Sequence, residues 1–144
     1  MKIARPTTAL EKLLNSAINV ALAFVIVLPL WLLVDSSFMV KRILFLMLFL
    51  LLKLTVLFFH ENRSPGMIIT KTYWKEKYPL RNQLLHAVLY MLSFSTVLFW
   101  VYFPFDLLLI NILLIQLPTV LKTGTTAHGY LAGKMFTVKY HNVV

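Results

Sequence analysis

The sequence predicts an all-α membrane protein with four transmembrane helices arranged as two hairpins. Of the 144 residues, 60% are hydrophobic and the mean hydropathy is +0.81. Charged residues make up 13%, about half of the usual share in a soluble domain. A soluble chain of this length cannot bury that much apolar surface. We therefore expect a single membrane domain over residues 1–144.

Four apolar runs of roughly the 17 to 25 residues that cross a bilayer define the predicted spans. They cover about residues 16–34, 40–59, 84–103 and 105–121. Pro104 leaves room only for a tight turn between the third and fourth spans, and Asp106 is placed to cap the fourth. The basic N-terminal segment lacks the apolar stretch and cleavage site of a signal peptide, which favours a retained tail.

The Lys and Arg residues predict the orientation. Eleven lie in the N-terminal tail, the loop 60–83 and the tail 122–144, whereas only Lys41 and Arg42 lie at the opposite ends of the spans. The positive-inside rule places both termini and the central loop in the cytoplasm. It also explains the net charge of +9 without nucleic acid, so anionic lipid headgroups are the expected charged partner.

Interfacial aromatic residues are expected at both membrane surfaces. The outer set is Trp31, Trp100, Tyr102 and Phe103, and the inner set is Tyr73, Trp74 and Tyr78.

The central loop and the C-terminal tail are expected to form a small cytoplasmic cap. Ser64-Pro65-Gly66 is a turn signal, and a β-favouring run to Trp74 follows it. Residues 136–140 alternate apolar and polar side chains, so the two segments could pair as a two-stranded antiparallel ribbon. The alternative is that both are unstructured basic tails attracted to anionic lipid, since a two-stranded ribbon is marginal alone.

Two short motifs resemble the RDD family of small bacterial membrane proteins. Ser64-Pro65-Gly66-Met67 is similar to that family's S/T-x-G-K/M loop. Residues 126–138 are similar to its C-terminal pattern, with His128, Gly133 and Thr137-Val138 in the same order. The resemblance implies a multi-pass protein of the bacterial inner membrane. It supports architecture more than activity, for which transport of an unknown ligand is the usual suggestion.

Three family positions differ in this chain. The first-span aspartate has no match, and Asn19 is the nearest polar residue. Lys12 does not align with the family's arginine, and Gly129 stands where an aspartate follows the histidine. The carboxylates that would carry ion coupling in the family are therefore missing.

Four polar residues form a candidate intramembrane site: Lys53, Asn19, Asn111 and Gln116. Lys53 lies within the second span, where a charge either extends along its stem to the interface or takes a buried functional role. The amides could bond it or each other across helices. Because Asn111 and Gln116 are five residues apart, an α-helix would separate them by about 140° and put them on different faces.

No motif of an enzyme or a metal site appears in the chain. The histidines, which include His60, His86 and His128, show no ligand spacing, and there is no cysteine. The five acidic residues leave little for acid–base catalysis. We expect no enzymatic activity, no metal and no cofactor.

Two functions fit these observations. The first is an accessory or scaffold subunit of a larger membrane complex, with other membrane proteins or a second copy of the chain as partners. The alternative is a small oligomeric transporter or channel for an ion or small solute. A polar stripe at helical spacing would favour the transporter.

Overall fold

The computed structural model describes residues 2–59, 62–99, 101–102 and 105–142, and it is mostly helical. His60, Trp100, Phe103 and Pro104, which carried sequence predictions, lie outside these ranges.

Two long helices form the first hairpin. Helix α1 (Ala9–Leu33) and helix α2 (Phe38–Phe59) are long and apolar enough to cross a membrane. Helix α1 begins well before the predicted span 16–34, because Thr8 and Glu11 form a capping box in the polar tail. By length and composition, the described residues thus show two of the four predicted spans.

The second half of the chain holds α4 (Leu80–Leu98) and an apolar segment, Leu107–Thr123. This segment consists of α5 (Leu107–Leu109), a π-helix (Ile110–Gln116) and α6 (Leu117–Thr123). Asp106 caps its start, as predicted, by accepting a hydrogen bond from Leu107 N at 2.7 Å.

The π-helix corrects one sequence prediction. Its backbone bonds run from i to i+5, as from the N–H of Leu117 to the carbonyl of Ile112. Residues five apart therefore lie on one face, and Gln116 Nε2 donates to Asn111 Oδ1 at 3.1 Å. The expectation that these two amides face different directions was wrong because it assumed α-helical geometry.

A three-stranded antiparallel sheet covers one end of the helices. Its strands are β1 (Lys2–Pro6), β2 (Thr72–Trp74) and β3 (Thr137–Asn142), in the order β1-β3-β2. The predicted pairing of loop with tail is confirmed, with Tyr73 opposite Val138. The description of the fold as all-α with a ribbon of two strands was incomplete. Residues 2–6 lack strand periodicity and become a strand by pairing with the free edge of β3.

Two short helices complete the cap: α3 (Pro65–Ile69) and α7 (Ala127–Leu131). The predicted turn at Ser64-Pro65-Gly66 is instead the start of α3. Ser64 Oγ accepts from Met67 N at 3.3 Å, and Pro65 occupies the first helical position, where its missing N–H is not needed.

Aromatic side chains fill the core between α2 and α4. The rings of Phe49 and Phe94 are stacked with 4.1 Å between centroids, and Phe45 and Tyr90 extend the stack. Most other apolar side chains of the long helices point outward, and Val25 of α1, for example, is 69% exposed. Such an outward apolar face is typical of helices that contact lipid.

Candidate functional site

One face of α1 carries a polar stripe at its cap end. Lys12, Asn15, Ser16 and Asn19 follow the spacing of three, four and seven residues that lines one helix face. Lys12, Asn15 and Asn19 are each only 8% exposed. The same face continues with Ala23 and Val27, which belong to the apolar core. The stripe is therefore buried and confined to the part of α1 beneath the sheet.

The stripe borders a cavity of about 60 Å³ between the helix ends and the cap. Helix α2 contributes Lys53, α4 contributes His86 and Tyr90, and α7 contributes His128. The remaining lining side chains come mainly from the cap: Ser64, Met67, Trp74, Thr125, Thr126, Met135 and Thr137.

Lys53 lies inside the bundle rather than along its outer surface. It is 8% exposed, and its Nζ sits 4.5 Å from the centroid of the Tyr90 ring. Within the described part of the chain, no carboxylate forms an ion pair with it. A buried ammonium group whose partner is only an aromatic face keeps most of its desolvation penalty.

Lys12 is a second buried cation on the same cavity. Its Nζ donates to Thr137 Oγ1 at 3.0 Å and also to Thr7 Oγ1. Glu11 is the neighbouring residue, but its carboxylate binds Arg5 at 2.5 Å and Lys139 at 3.3 Å. The groups that accept hydrogen bonds from Lys12 are thus neutral hydroxyl oxygens, so its charge is only partly balanced.

Two histidines form the cap-side wall of the cavity. The rings of His86 and His128 are 5.0 Å apart, and His128 Nε2 lies 2.9 Å from Thr126 Oγ1. Each ring leaves its Nδ1 buried without a hydrogen-bond partner. Burial, followed by the nearby charges of Lys53 and Lys12, lowers the pKa of His128 to about 3. His128 is therefore neutral at neutral pH and can donate one N–H.

The asparagines tie the helices to the cap. Asn19 Oδ1 accepts from Gly66 N at 2.8 Å, while its Nδ2 donates to Ser64 Oγ at 3.1 Å. Asn15 lies between two threonines, with its amide oriented to donate to Thr70 Oγ1 and to accept from Thr72 Oγ1 at 3.0 Å. These bonds hold α3 and β2 against α1 and fix the shape of the cavity.

A second polar cluster lies between α4 and the π-helix. Asn111 Nδ2 donates to Ser93 Oγ at 2.9 Å and to Thr96 Oγ1 at 3.1 Å. Gln116 Oε1 accepts from Ala127 N at 3.1 Å, which connects the cluster to α7. A larger cavity of about 310 Å³ adjoins it, and half of the residues that line it are leucine or isoleucine. Bonds between side chains and backbone use most of the polar groups here, as in an interhelical clamp.

The four predicted intramembrane residues are therefore divided between two places. Lys53 and Asn19 line the 60 Å³ cavity beneath the cap, whereas Asn111 and Gln116 belong to the polar cluster between α4 and the π-helix, called the clamp below. The structure does not bring all four into one site.

The predicted cap residues serve different purposes. Ser64, Trp74 and His128 line the cavity. Gly66, which follows Pro65 in α3, permits close packing, because a Cβ there would lie 2.3 Å from Asn15 O. Gly133 has a φ of +112° just after α7 and fits beside the Asn82 side chain.

Two of the predicted inner aromatic residues, Trp74 and Tyr78, pack inside the cap. Trp74 is edge-on to His86 at 5.2 Å and donates from Nε1 to Asn62 O at 2.8 Å. Tyr78 is 6% exposed and packs on Met135 within the cap. Both rings support the cavity wall, because the cap folds over them.

Sequence reasoning missed Lys12, Asn15, His86 and Tyr90 as members of the site. A signal was present: Lys12 to Asn19 is a polar stripe at helical spacing, and His86 and Tyr90 are four residues apart. The predicted span began at residue 16, so the first half of the stripe was read as a tail.

No protein-family model, curated protein or solved structure matches this chain, and the resemblance to the RDD family stays a prediction.

Proposed function

We propose that the chain is a four-span integral membrane protein whose cavity binds a small polar solute, and that it works as a small transporter or channel. The observation that carries this proposal is the buried polar stripe on α1 facing the buried Lys53. Intramembrane charges mark ion and substrate paths, because a membrane protein retains such an unfavourable group mainly for function.

The sheet supports the four-span arrangement. Strands of one sheet must lie on the same side of a bilayer, since an unpaired backbone is not tolerated in hydrocarbon. β1 precedes α1 and β2 follows α2, so a crossing by α1 requires a return by α2. In the same way, β2 precedes α4 and β3 follows the segment Leu107–Thr123, so a crossing by α4 requires a return by that segment.

The second hairpin has suitable dimensions for crossing. Helix α4 has 19 residues, or about 28 Å of rise, and Leu107–Thr123 adds about 25 Å, close to the 30 Å of a bilayer core. Leu92 and Leu114 are 54% and 71% exposed, as lipid-facing residues would be. The excess of Lys and Arg at the sheet end supports a cytoplasmic position for the cap and both termini.

The absence of cysteine makes the topology directly testable. Single-cysteine variants Ser37→Cys and Phe105→Cys sit at the predicted outer ends, and Lys77→Cys and Lys134→Cys at the inner end. In intact bacteria, a membrane-impermeant maleimide should label the first pair, and the second pair only after lysis. Labelling of Phe105→Cys from the same side as Lys77→Cys would exclude the second hairpin.

Transport itself is tested in proteoliposomes with radiolabelled sodium, chloride and phosphate. We expect uptake of one of these above protein-free liposomes, with a large reduction in Lys53→Leu. Lys41→Leu, at the opposite end of α2 and far from the cavity, is the matched control. Equal uptake with and without protein for all three would reject the transporter.

The accessory-subunit prediction has one supporting feature, the cavity beside the π-helix, which could receive one or two side chains of a partner's helix. Mass spectrometry of the protein purified at native expression level distinguishes the two functions. Recovery with one larger assembly in fixed ratio would favour the subunit, whereas recovery alone or as a symmetric oligomer would favour the transporter.

A further inference from the structure

We propose that the ligand of the cavity is a small oxyanion of the phosphate class, held between the ammonium groups of Lys12 and Lys53. This inference rests on the proposed solute-binding function and names the chemistry of the solute. It requires that the cavity offer positive charge, hydrogen-bond donors and the right volume.

The charge of the cavity is one-sided. Lys12 and Lys53 both line it, and within the described residues no acidic side chain does. The carboxylate of Glu11, which precedes Lys12 in α1, is already bound by Arg5 and Lys139. A cation entering this space would meet two positive charges, whereas an anion would supply the missing counter-charge and offset the cost of burying both lysines.

The neutral groups of the cavity add donors suited to an anion. His86 and His128 each have a buried Nδ1 without a partner, and a neutral imidazole can donate from one ring nitrogen. The hydroxyl groups of Ser16 and Thr126 line the same space and can also donate. Donors on α1, α2, α4 and α7 surround the cavity from several directions, as the four oxygens of a tetrahedral anion require.

The volume and position of the cavity fit a small anionic group. A cavity of about 60 Å³ has room for a few water-sized atoms, which is enough for one phosphate group. The site lies towards the cap end of the helices, with Lys53 about 9 Å of helix rise from the end of α2 and the proposed cytoplasmic headgroups. The phosphate could therefore be free in the cytoplasm or part of a phospholipid, with the same chemistry at the lysines.

Binding is tested by the thermal unfolding midpoint of the detergent-solubilised protein with and without inorganic phosphate. At a phosphate concentration about 100 times the Kd, the midpoint should rise by about 5 °C or more. The rise should disappear in Lys12→Met and Lys53→Met and persist in Lys77→Met, an exposed lysine of the cap loop. Lys53→Met should also have a higher midpoint than the wild type without phosphate, because an uncompensated charge is removed.

Three results would overturn the proposal: no rise with phosphate, an equal rise with sodium chloride at matched ionic strength, or an undiminished rise in both methionine variants. If a methionine variant does not fold, Lys53→Arg keeps the charge and should keep the phosphate-dependent rise. If a folded Lys53→Arg protein loses the phosphate-dependent rise and is not stabilised by phosphate in nanodiscs either, the proposal is contradicted.

Nanodiscs separate the two sources of phosphate. If an anionic headgroup is the ligand, inorganic phosphate should stabilise the protein in discs of phosphatidylcholine, whose headgroup has no net charge. It should not do so in discs rich in phosphatidylglycerol, whose anionic headgroup already fills the site. If free phosphate is the ligand, it should stabilise the protein equally in both. Phosphate binding without flux of any tested solute would reject the transport function and support phosphate as the ligand. Sodium flux without phosphate binding would support transport and reject phosphate as the ligand.

Discussion

The imidazole rings of His86 and His128 lie edge to face, with 5.0 Å between their centroids. His86 belongs to α4 and His128 to α7, so the pair joins the helix bundle to the cap. Both rings are buried beside the two lysines of the cavity. The stability of this junction should therefore depend on whether the two imidazole rings are protonated.

Acidification should destabilise the protein through His128. The pKa of His128 is about 3 in the folded protein and about 6.5 in an unfolded chain. The unfolded chain binds the proton more tightly, so stability is complete above pH 6.5 and falls as the pH drops towards about 3. Between pH 7 and pH 5 the loss should be about 2 kcal/mol. Thermal unfolding of the wild type and His128→Gln at both pH values measures it. Parallel pH profiles would contradict the prediction.

Replacing Gly66 with alanine should destabilise the cap. A Cβ at Gly66 would lie 2.3 Å from Asn15 O, so α3 must move away from α1. We expect a loss of about 2 kcal/mol or more in the free energy of unfolding. Gly124→Asn is the control, because a Cβ there meets only Phe136 at 3.9 Å and asparagine tolerates its φ of +78°. Equal losses in the two variants would show that the close contact is not maintained.

The register of the sheet predicts which cysteine pairs form disulfides. Tyr73 and Val138 are directly opposite each other, so Tyr73→Cys with Val138→Cys should oxidise readily in a chain that has no other cysteine. Pro6 pairs with Val138 from the other side of β3. Tyr73→Cys with Pro6→Cys spans two strand spacings, about 9.6 Å, and should stay reduced. Non-reducing electrophoresis after peptide cleavage reports both pairs, and the opposite pattern would disprove this register.

The clamp between α4 and the π-helix should show measurable coupling. A double-mutant cycle with Asn111→Ala and Ser93→Ala should give a coupling free energy of at least about 0.6 kcal/mol, the average for interhelical hydrogen bonds in a membrane protein, and at most about 1.7 kcal/mol. Ser95→Ala is the control, because its hydroxyl bonds Leu92 O within its own helix. A coupling of Asn111 to Ser95 as large as that to Ser93 would contradict the clamp.

Composition and local pattern were sufficient for the main elements. The apolar runs predicted the helices to within several residues, since a long uninterrupted hydrophobic stretch has few alternatives to a helix. The alternation at residues 136–140 and the β-favouring run ending at Trp74 predicted the pairing of β2 with β3. Asp106 was correctly predicted as a helix cap, because capping depends on nearest neighbours.

Other features required the tertiary structure. Residues 2–6 form a strand only because β3 offers an unpaired edge, and Asn111 meets Gln116 only because the helix widens to π geometry. Lys12, Lys53, His86 and His128 come from four separate helices. Local sequence determined each helix. Packing of the cap against the bundle placed the four basic side chains around one cavity. The sequence alone could not show this, because burial depends on contacts between residues far apart in the chain.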